Sequence, residues 1–485
     1  MNTPQKKWAQ ITFLVGLAVI FGYLLSDIYQ NRYELKSKIE FIKSSKKTKT
    51  SISEKDIIDR IVCPEEYRIS IFASGLNGAR FMKVTEKGDV LLSTPSSGRI
   101  MLLARDSNGD GKADGAQELL SGLNKPHGID IWGKYLYVAE TDSVGRIDFD
   151  PAGRKVSGEY TRLITGIPTG GHWTRTLRFG PDGRMYVSIG SSCNVCIEKD
   201  QRRAAILRYD ADGSKEKIFA SGLRNTVGFD WNPADGRMYG TDNGRDRLGD
   251  DFPPCELNLI RENGFYGWPY VNGDNIADPD FGKNNERKIS ESIKPVHKFR
   301  AHNAPLGITF LKSVSTPENY RNSALVALHG SWNRSRKDGY KIVSIKWEKD
   351  GSITEQDFLT GFLRSSDDNV VGRPVDVVED DFGNLYVSDD YAGFVYMLRP
   401  VGKDIIKSSS AYSEKLWETH SCASCHDAEK NTDGIVTRPL AGLSEKYSKE
   451  KLSAFLKTPT PPMPDNSMTD SELEIMAGYL IVKYP

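Results

Sequence analysis

One pattern recurs six times along the middle of the chain and restricts the fold more than any other feature of its 485 residues. "GDVLLSTPSSGRIMLL", "GKYLYVAETDSVGRIDF", "DGRMYVSIGSS", "DGRMYGTDNGR", "NSALVALHGSWNR" and "FGNLYVSDDYAGFVYML" each supply a turn, a short alternating strand and a polar loop. Their starts are mostly spaced by about 45 to 60 residues, with one longer gap, which is the scale of a four-stranded propeller blade. Sandwiches do not repeat a unit of that length. Six units therefore predict a mainly β chain built on a six-bladed β-propeller. Residues 261–304, with "GFYGWPYVNGDN", read as an insertion between blades, placed to cover one mouth.

The two ends differ from this middle. After Lys6 and Lys7, "WAQITFLVGLAVIFGYLL" is an apolar run of about 18 residues, close to the length that crosses a hydrocarbon core. Lysines before it predict that this end stays in the cytoplasm while the rest is exported. No small-x-small site follows, and the bulky, charged "SDIYQNRYELKSK" favours an uncleaved anchor over a removed signal. Residues 1–30 are thus expected to form a single transmembrane helix in the inner (cytoplasmic) membrane, and 31–58 a Lys- and Ser-rich tether. The domains that follow belong on the periplasmic or extracytoplasmic side. With 65 basic and 65 acidic residues the net charge is zero, so no nucleic-acid partner is implied.

Near the other end, "WETHSCASCHDAEK" holds Cys422, Cys425 and His426 at C-x-x-C-H spacing. Two thiolates so placed form thioethers to a haem while the adjacent His ligates the iron. A zinc site would need a second pair of ligands, and none lies nearby. Beyond a helix-like "SKEKLSAFLK", the chain continues "TPTPPMPDNSMTDSELEIMAGYLIVKYP", where Met463 sits in a Pro-rich loop before a last, capped helix. These features resemble a small class I cytochrome c domain, expected to be all-α over residues 402–485. The resemblance implies His426 as proximal iron ligand, Met463 as distal ligand, and Pro439 as the residue whose carbonyl steadies the His. Met468 and Met476 are the competing thioethers, and Met476 falls on the apolar face of the last helix, a core position.

Four cysteines remain. Cys193 and Cys196 in "GSSCNVC" close a small disulfide loop or act as a redox pair, and without a thioredoxin-like strand-helix context the bridge is expected. A Cys63–Cys255 bridge stays open on the sequence alone. Stable disulfides agree with export, as does c-type haem attachment.

Five ordered motifs between residues 59 and 401 carry a second resemblance: "GGHWTRTLRFGPDGRMYVSIGSSCNVC", "SGLRNTVGFDWNPADGRMYGTDNG", "ELNLIRENGFYGWPYVNGD", "HGSWNRSRKDGYKIV" and "GRPVDVVEDDFGNLYVSDDYAGFVY". Together they resemble the pyrroloquinoline-quinone (PQQ)-dependent sugar dehydrogenases, in particular the sorbosone dehydrogenase branch. That resemblance implies PQQ on the propeller axis, oxidising an aldose sugar, sorbosone-like alcohol or aldehyde by hydride transfer. It implies His172 as the base that takes the hydroxyl proton, a role His suits because its pKa ordinarily lies near working pH. Arg224 and Asn225 match cofactor-site residues. Arg373 matches an arginine that pairs bidentately with the quinone's carboxylates. Gly244 and Arg245 fall where the family offers backbone carbonyls to a calcium ion that polarises the quinone.

Departures from the soluble glucose dehydrogenases favour the sorbosone branch. Val375 replaces a second arginine, and Arg80 stands where those enzymes have glutamine. In "SWNRSRK" Arg334 is the nearest cation to their cofactor lysine, with Arg336 and Lys337 as alternatives. His127 in "KPHGID" lines the axis or serves structurally at a blade turn. A second calcium candidate is "DSNGDGKAD", where Asp106, Asn108, Asp110 and Asp114 have EF-hand-like spacing and Gly111 the sharp turn, although Gln117 replaces the bidentate Glu.

The expected electron path is substrate to quinone, quinone to haem c, and haem to a respiratory-chain acceptor. Two rivals belong to other classes: a calcium-dependent, lactonase-like hydrolase, and a non-catalytic propeller that docks an electron-transfer partner. The ligand assignment is testable by itself. Met463→Ala should abolish the weak thioether-to-iron absorbance band and lower the haem potential, because a Met/His pair raises it. The same change in Met468→Ala instead would move the assignment to Met468.

Overall fold

The repeated strands are buried on both faces, and this decides how the sheets pack. Met185–Ile189 is buried at all five positions, as are Val90–Thr94, Met238–Asp242 and Leu385–Asp389. A short strand buried at every position needs a partner layer on either side. The sheets meet that need by stacking face to face around an axis. Tyr137 and Val144 of one blade, for example, share a core with Leu177, Val187 and Leu207 of the next. Full burial of each such side chain stabilises the fold by about 1.5–3 kcal/mol.

The computed structural model describes residues 54–401 other than 314, 349 and 365, and residues 413–484 other than 415, 427–439, 465, 466 and 469. The expected anchor, nearly all of the tether and Pro439 lie outside the described residues. Among the described residues no helix is long and apolar enough to cross a membrane.

Six antiparallel sheets form the predicted propeller. Their innermost strands are Met82–Val84, Ile129–Trp132, Arg175–Phe179, Thr226–Trp231, Pro305–Phe310 and Pro374–Glu379, in blades 1 to 6. Blade 6 is completed by the start of the propeller chain, since Tyr67–Ala73 pairs antiparallel with Phe394–Pro400 as its outer strand. Strand direction alternates within a blade. Residues just before an innermost strand and just after a second strand therefore emerge at one mouth, here the upper. The turns between those two strands emerge at the lower mouth. The incoming chain is bridged through Val62 to Thr360, past the upper end of the outer strand of blade 5, and crosses to Tyr67 on the lower side. There it also leaves at Pro400, and Val401 N–H donates to the Glu66 carbonyl at 2.7 Å.

Neighbouring blades are tied at the axis by buried side chains. Asp130 accepts from Phe179 N–H at 2.8 Å, Asp230 from Phe310 N–H at 3.0 Å, and Asp376 from Met82 N–H at 2.9 Å. These carboxylates join blade 2 to 3, 4 to 5 and 6 to 1. Between blades 5 and 6 the same place is taken by Thr309, whose hydroxyl donates to the Val377 carbonyl at 2.6 Å. The strands approach so closely that a Cβ on Gly307 would collide with Asp376.

The insertion is placed differently from the expectation. It leaves blade 4 after its third strand, Cys255–Ile260, and returns as the outer strand His297–Phe299, so it lies within a blade and not between two. On the way Gly264–Phe265 pairs parallel with Lys217–Ser221 and becomes a fifth strand of blade 3. The segment then brings Trp268, Asp278 and Asp280 to the rim of the upper mouth.

Residues 413–484 make a small helical unit. Lys449–Lys457, capped by Ser448, and Asp470–Lys483 pack through Leu452, Leu456, Leu473, Met476 and Leu480 onto Leu416 and Trp417. Met476 is a core residue, as its helical face predicts. Phe382, from the lower turn of blade 6, packs on the same cluster, and Arg105 of blade 1 lies 4.0 Å from Glu472. The helical unit therefore meets the lower mouth.

Asp376 gives the fold a pH dependence. It is fully buried and its Oδ1 has no partner, so burial pushes its pKa up to about 6. A raised carboxyl pKa favours the protonated form in the folded state. The stability it contributes is complete below the unfolded value near 4 and is lost as pH rises through about 6, on the order of 2–3 kcal/mol in all. Urea unfolding at pH 4.5 and 7.5 should show a loss larger in the wild type than in Asp376→Asn by that amount, since other buried carboxyls with raised pKa, Asp242, Asp380 and Asp389 among them, titrate in both. Equal pH slopes in the two proteins would contradict the assignment.

Candidate active site

The upper mouth collects most of the residues that the sequence singles out, because each stands just before an innermost strand or just after a second strand. Arg80, His127, His172, Arg224, Asn225 and Arg373 precede innermost strands, and Gly244 and Arg245 follow a second strand; His329 and Asp390, which the sequence did not single out, follow two others.

His172 is held by blade 3. Its Nδ1 lies 3.0 Å from both the carbonyl and the hydroxyl oxygen of Ser191. The Ser191 hydroxyl donates to the Cys193 carbonyl at 2.7 Å, so both Ser191 oxygens act as acceptors toward the ring. Nδ1 must then carry the proton, and Nε2 keeps its lone pair. The pKa is not near working pH, as sequence reasoning supposed. Burial pushes it down to about 3, helped by the cations Arg224, Arg175 and Arg203. His172 is thus a neutral imidazole set in a positive field.

Arg224 is buried beside it. Nε–H donates to the Asn194 carbonyl at 2.9 Å, Nη1 to the carbonyls of Asn243 and Gly244 at 3.0 and 2.9 Å, and Nη2 to Asn194 Oδ1 and Asp246 at 2.9 and 3.3 Å. Guanidinium has five N–H groups, and all five are used. Arg224 acts on the mouth through the loops it holds, including the Gly244 carbonyl expected to face calcium. Asn225 is less satisfied, with Oδ1 buried and without a partner. Asn225 and His172 flank Gly190, where a Cβ would stand 2.5 Å from Asn225 Oδ1 and 2.7 Å from the His172 Cβ.

A second cluster centres on Asp390. It accepts from Arg80 at 2.8 Å and Arg373 at 2.7 Å, and His329 Nε2 lies 3.1 Å away. Burial opposes ionisation of Asp390, but the His329 N–H and the two guanidiniums more than reverse it, holding the carboxyl well below the usual range. His329 is itself pushed down to about 4 by burial, so at neutral pH it is a neutral donor. The Arg80 guanidinium lies 5.6 Å from the Trp173 ring centre, which links this cluster to His172, and its Nε–H is buried without a partner. His127 is buried against Phe81 and Trp173 at centroid distances of 4.2 and 5.6 Å, a packed position under the mouth.

Other expected residues are turned elsewhere. Arg334 donates to the Ala301 carbonyl at 3.3 Å and pairs with Asp251 at 3.1 Å, while Arg336 and Lys337 reach residue 368. The Arg245 side chain pairs with Asp278 and Asp280 at 2.7 and 2.9 Å, leaving only its carbonyl for a metal. The loop of Asp106, Asn108, Asp110 and Asp114 lies at the lower mouth, and its oxygens accept from N–H groups of their own loop. Arg399 also pairs with Asp106 at 2.5 Å, and calcium there would have to displace it. Cys193 and Cys196 form the expected disulfide, whereas Cys63 and Cys255 are unbridged. In the helical unit, Ala423–His426 is a single turn in which His426 N–H donates to the Cys422 carbonyl at 3.1 Å. Cys422, Met463 and Met468 border one apolar cluster, and Trp417 lies 5.9 Å from the His426 ring.

The arrangement matches a known family over the whole propeller. The TrAA12-like family profile covers residues 61–263 and 270–401. The chain belongs to the TrAA12-like family. Within that family span, the six unmatched residues begin at Gly264, where the insertion joins blade 3. An uncharacterized protein of Borreliella burgdorferi is 30% identical over 361 residues, 71% of this chain and 92% of that one. The pyrroloquinoline quinone-dependent pyranose dehydrogenase of Coprinopsis cinerea is 23% identical over 412 residues, 70% of this chain but only 55% of that protein. The holo structure of its PQQ domain has 22% identity and a TM-score of 0.62, covering 70% of this chain and 97% of that domain.

Arg175, Arg203, Ser191, Asn194 and Asp390 were missed by sequence reasoning. A buried charge in a loop carries no sequence period, so only the hydrogen-bond partners expose these roles. Asp390 makes the most direct claim. Removing one partner of a buried ion cluster leaves the others uncompensated, so Asp390→Ala should cost about 3 kcal/mol or more in urea unfolding. Arg334→Ala, whose carboxylate partner is exposed, should cost clearly less. A smaller loss for Asp390→Ala than for Arg334→Ala would remove Asp390 as the centre of the cluster.

Proposed function

We propose that the chain is a PQQ-dependent sugar or aldehyde dehydrogenase whose site is the upper mouth and whose electrons leave through a c-type haem. The observation that carries this reading is the positive field around an orientated, neutral His172. A base for a hydroxyl proton must arrive deprotonated, and an anionic cofactor needs cations to hold it. The buried, unpartnered Arg80 Nε–H and Asn225 Oδ1 fit a polar ligand seated between the two clusters. The name of the Coprinopsis relative supports the same chemistry.

When bound, PQQ supplies the hydride acceptor. His172 Nε2 takes the substrate hydroxyl proton while Nδ1–H stays fixed on Ser191. Arg80 and Arg373 hold the cofactor's carboxylates, with Asp390 and His329 fixing both guanidiniums. Gly244 and Arg245 offer carbonyl oxygens, and Asn225 an amide oxygen, to a calcium ion, a hard cation that prefers such donors.

Cys422, Cys425, His426 and Met463 are assigned to the haem by the C-x-x-C-H motif, and Cys422 and Met463 border the apolar cluster whose Trp417 lies beside His426. The helical unit meets the lower mouth, about 20 Å from the site by the length of a six-residue innermost strand. The apolar run near the N-terminus and the Cys193–Cys196 bridge favour an anchored protein on the extracytoplasmic side, next to a respiratory acceptor.

The test is to add PQQ and calcium to the purified chain and follow haem reduction by sugars and aldehydes. Reduction is expected, and its dependence on protein concentration tells transfer within one molecule from transfer between two. A silent haem with every substrate would favour a hydrolase or a docking module. His172→Gln should keep PQQ affinity and slow single-turnover reduction of bound quinone by roughly 100-fold or more. Arg373→Ala should weaken binding and spare turnover at saturating cofactor. A wild-type rate in His172→Gln would take the base out of the mechanism.

A further inference from the structure

The Cys193–Cys196 bridge closes a loop across only two intervening residues, and the carbonyls of Cys193 and Asn194 in that loop both serve the mouth. Cys193 O accepts from the Ser191 hydroxyl, which in turn faces His172 Nδ1. Asn194 O accepts from Arg224 Nε–H and, at 3.4 Å, from the indole N–H of Trp268 on the insertion. The Asn194 side chain accepts from Asp246 N–H at 2.8 Å and donates to the Asp246 carbonyl at 3.1 Å. Glu198 holds the other end of the loop through Ser192 N–H and hydroxyl at 2.6 and 2.8 Å. The base and the carbonyl loop of residues 243–246 are therefore both fixed from one four-residue ring.

We propose that the Cys193–Cys196 ring is the positioning element of this site, and that opening it by a dithiol reductant disarms the mouth while leaving the propeller folded. The proposal rests on the reading of the mouth as a quinone site. In the opening step the S–S bond breaks, and two electrons and two protons pass from the dithiol to the two sulfurs. The reductant is left as its disulfide. Nothing in the blade cores depends on the bridge, because Cys193 and Cys196 are half-buried and flanked by the exposed Ser192 and Ile197. Once the ring is open, the two carbonyls are free to rotate. The Ser191 hydroxyl then loses the acceptor that orientates it, and Arg224 loses its Nε partner.

The consequence for His172 is specific. In the closed ring two acceptors face Nδ1, so one tautomer is enforced. In the open ring the Ser191 hydroxyl is free to donate to Nδ1, in competition with the Ser191 carbonyl that still accepts from it, and the proton moves to Nε2 in part of the molecules. That form has no lone pair toward the mouth.

The experiment uses the full chain labelled with ¹⁵N-histidine, without added cofactor, with His172→Gln to assign the signal among the seven histidines. The wild type should show a single tautomer, protonated at Nδ1. The Cys193→Ser, Cys196→Ser double variant should show a mixture of both, as should wild type treated with dithiol, and reoxidation should restore the single form. In parallel, PQQ affinity should fall about 10-fold or more in the double variant and in Asn194→Ala, the usual scale for losing an outer-sphere orientating group, with an unchanged melting temperature. An unaltered His172 tautomer in the reduced, folded wild type overturns the proposal. If PQQ binds to none of the proteins, the quinone reading fails, and the tautomer measurement still decides the role of the ring. Should the double variant not fold, the reduced wild type gives the same answer.

Discussion

A ring of twisted sheets keeps its shape only if its last member is tied to its first. Here the tie is blade 6, where Tyr67–Ala73 supplies the outer strand to three strands from the far end of the propeller. Closure by strand pairing removes two free sheet edges, each of which would otherwise expose a row of unpaired N–H and C=O groups. At the axis the Asp376 carboxylate makes the same joint from within, through Met82 N–H. The upper mouth inherits its precision from this closure. Arg80 comes from blade 1, while Arg373 and Asp390 come from blade 6, so their cluster exists only when the ring is complete.

The fold was legible in the sequence because blades are local and repetitive. The alternating strand after each turn is visible in "DGRMYVSIGSS" without knowledge of its neighbours, and six such strands fix the blade number. The insertion was read one level too coarsely. Whether residues 261–304 leave a blade or fall between blades depends on which strand His297–Phe299 pairs with, and three residues carry no such signal. The loop of Asp106 to Asp114 shows the opposite limit. Its oxygen spacing is real, yet the same side chains are equally suited to capping the N–H groups of a tight turn.

The site was legible in its members and not in its wiring. His172, Arg224, Asn225 and Arg373 do converge on one mouth, because a motif residue next to an innermost strand has nowhere else to go. What each does there depends on hydrogen-bond accounting. A sequence cannot show that all five N–H groups of Arg224 are taken, nor that burial, helped by three arginines, keeps His172 from protonating near neutral pH. The helical unit repeats the lesson: C-x-x-C-H is read from five letters, whereas the cluster shared by Cys422, Met463 and Met468 is a product of packing.

Because Val62 is bridged to Thr360 at the upper end of blade 5 while the chain leaves at Pro400 on the lower side, the two connectors of the propeller open on opposite sides, and only the outgoing one faces the helical unit. Segments added after Pro400 can be lengthened, exchanged or lost in evolution without threading past the upper mouth. Relatives that share these blades are thus free to carry unlike appendages, and grafting a different redox module after Pro400 becomes an engineering problem confined to a single surface.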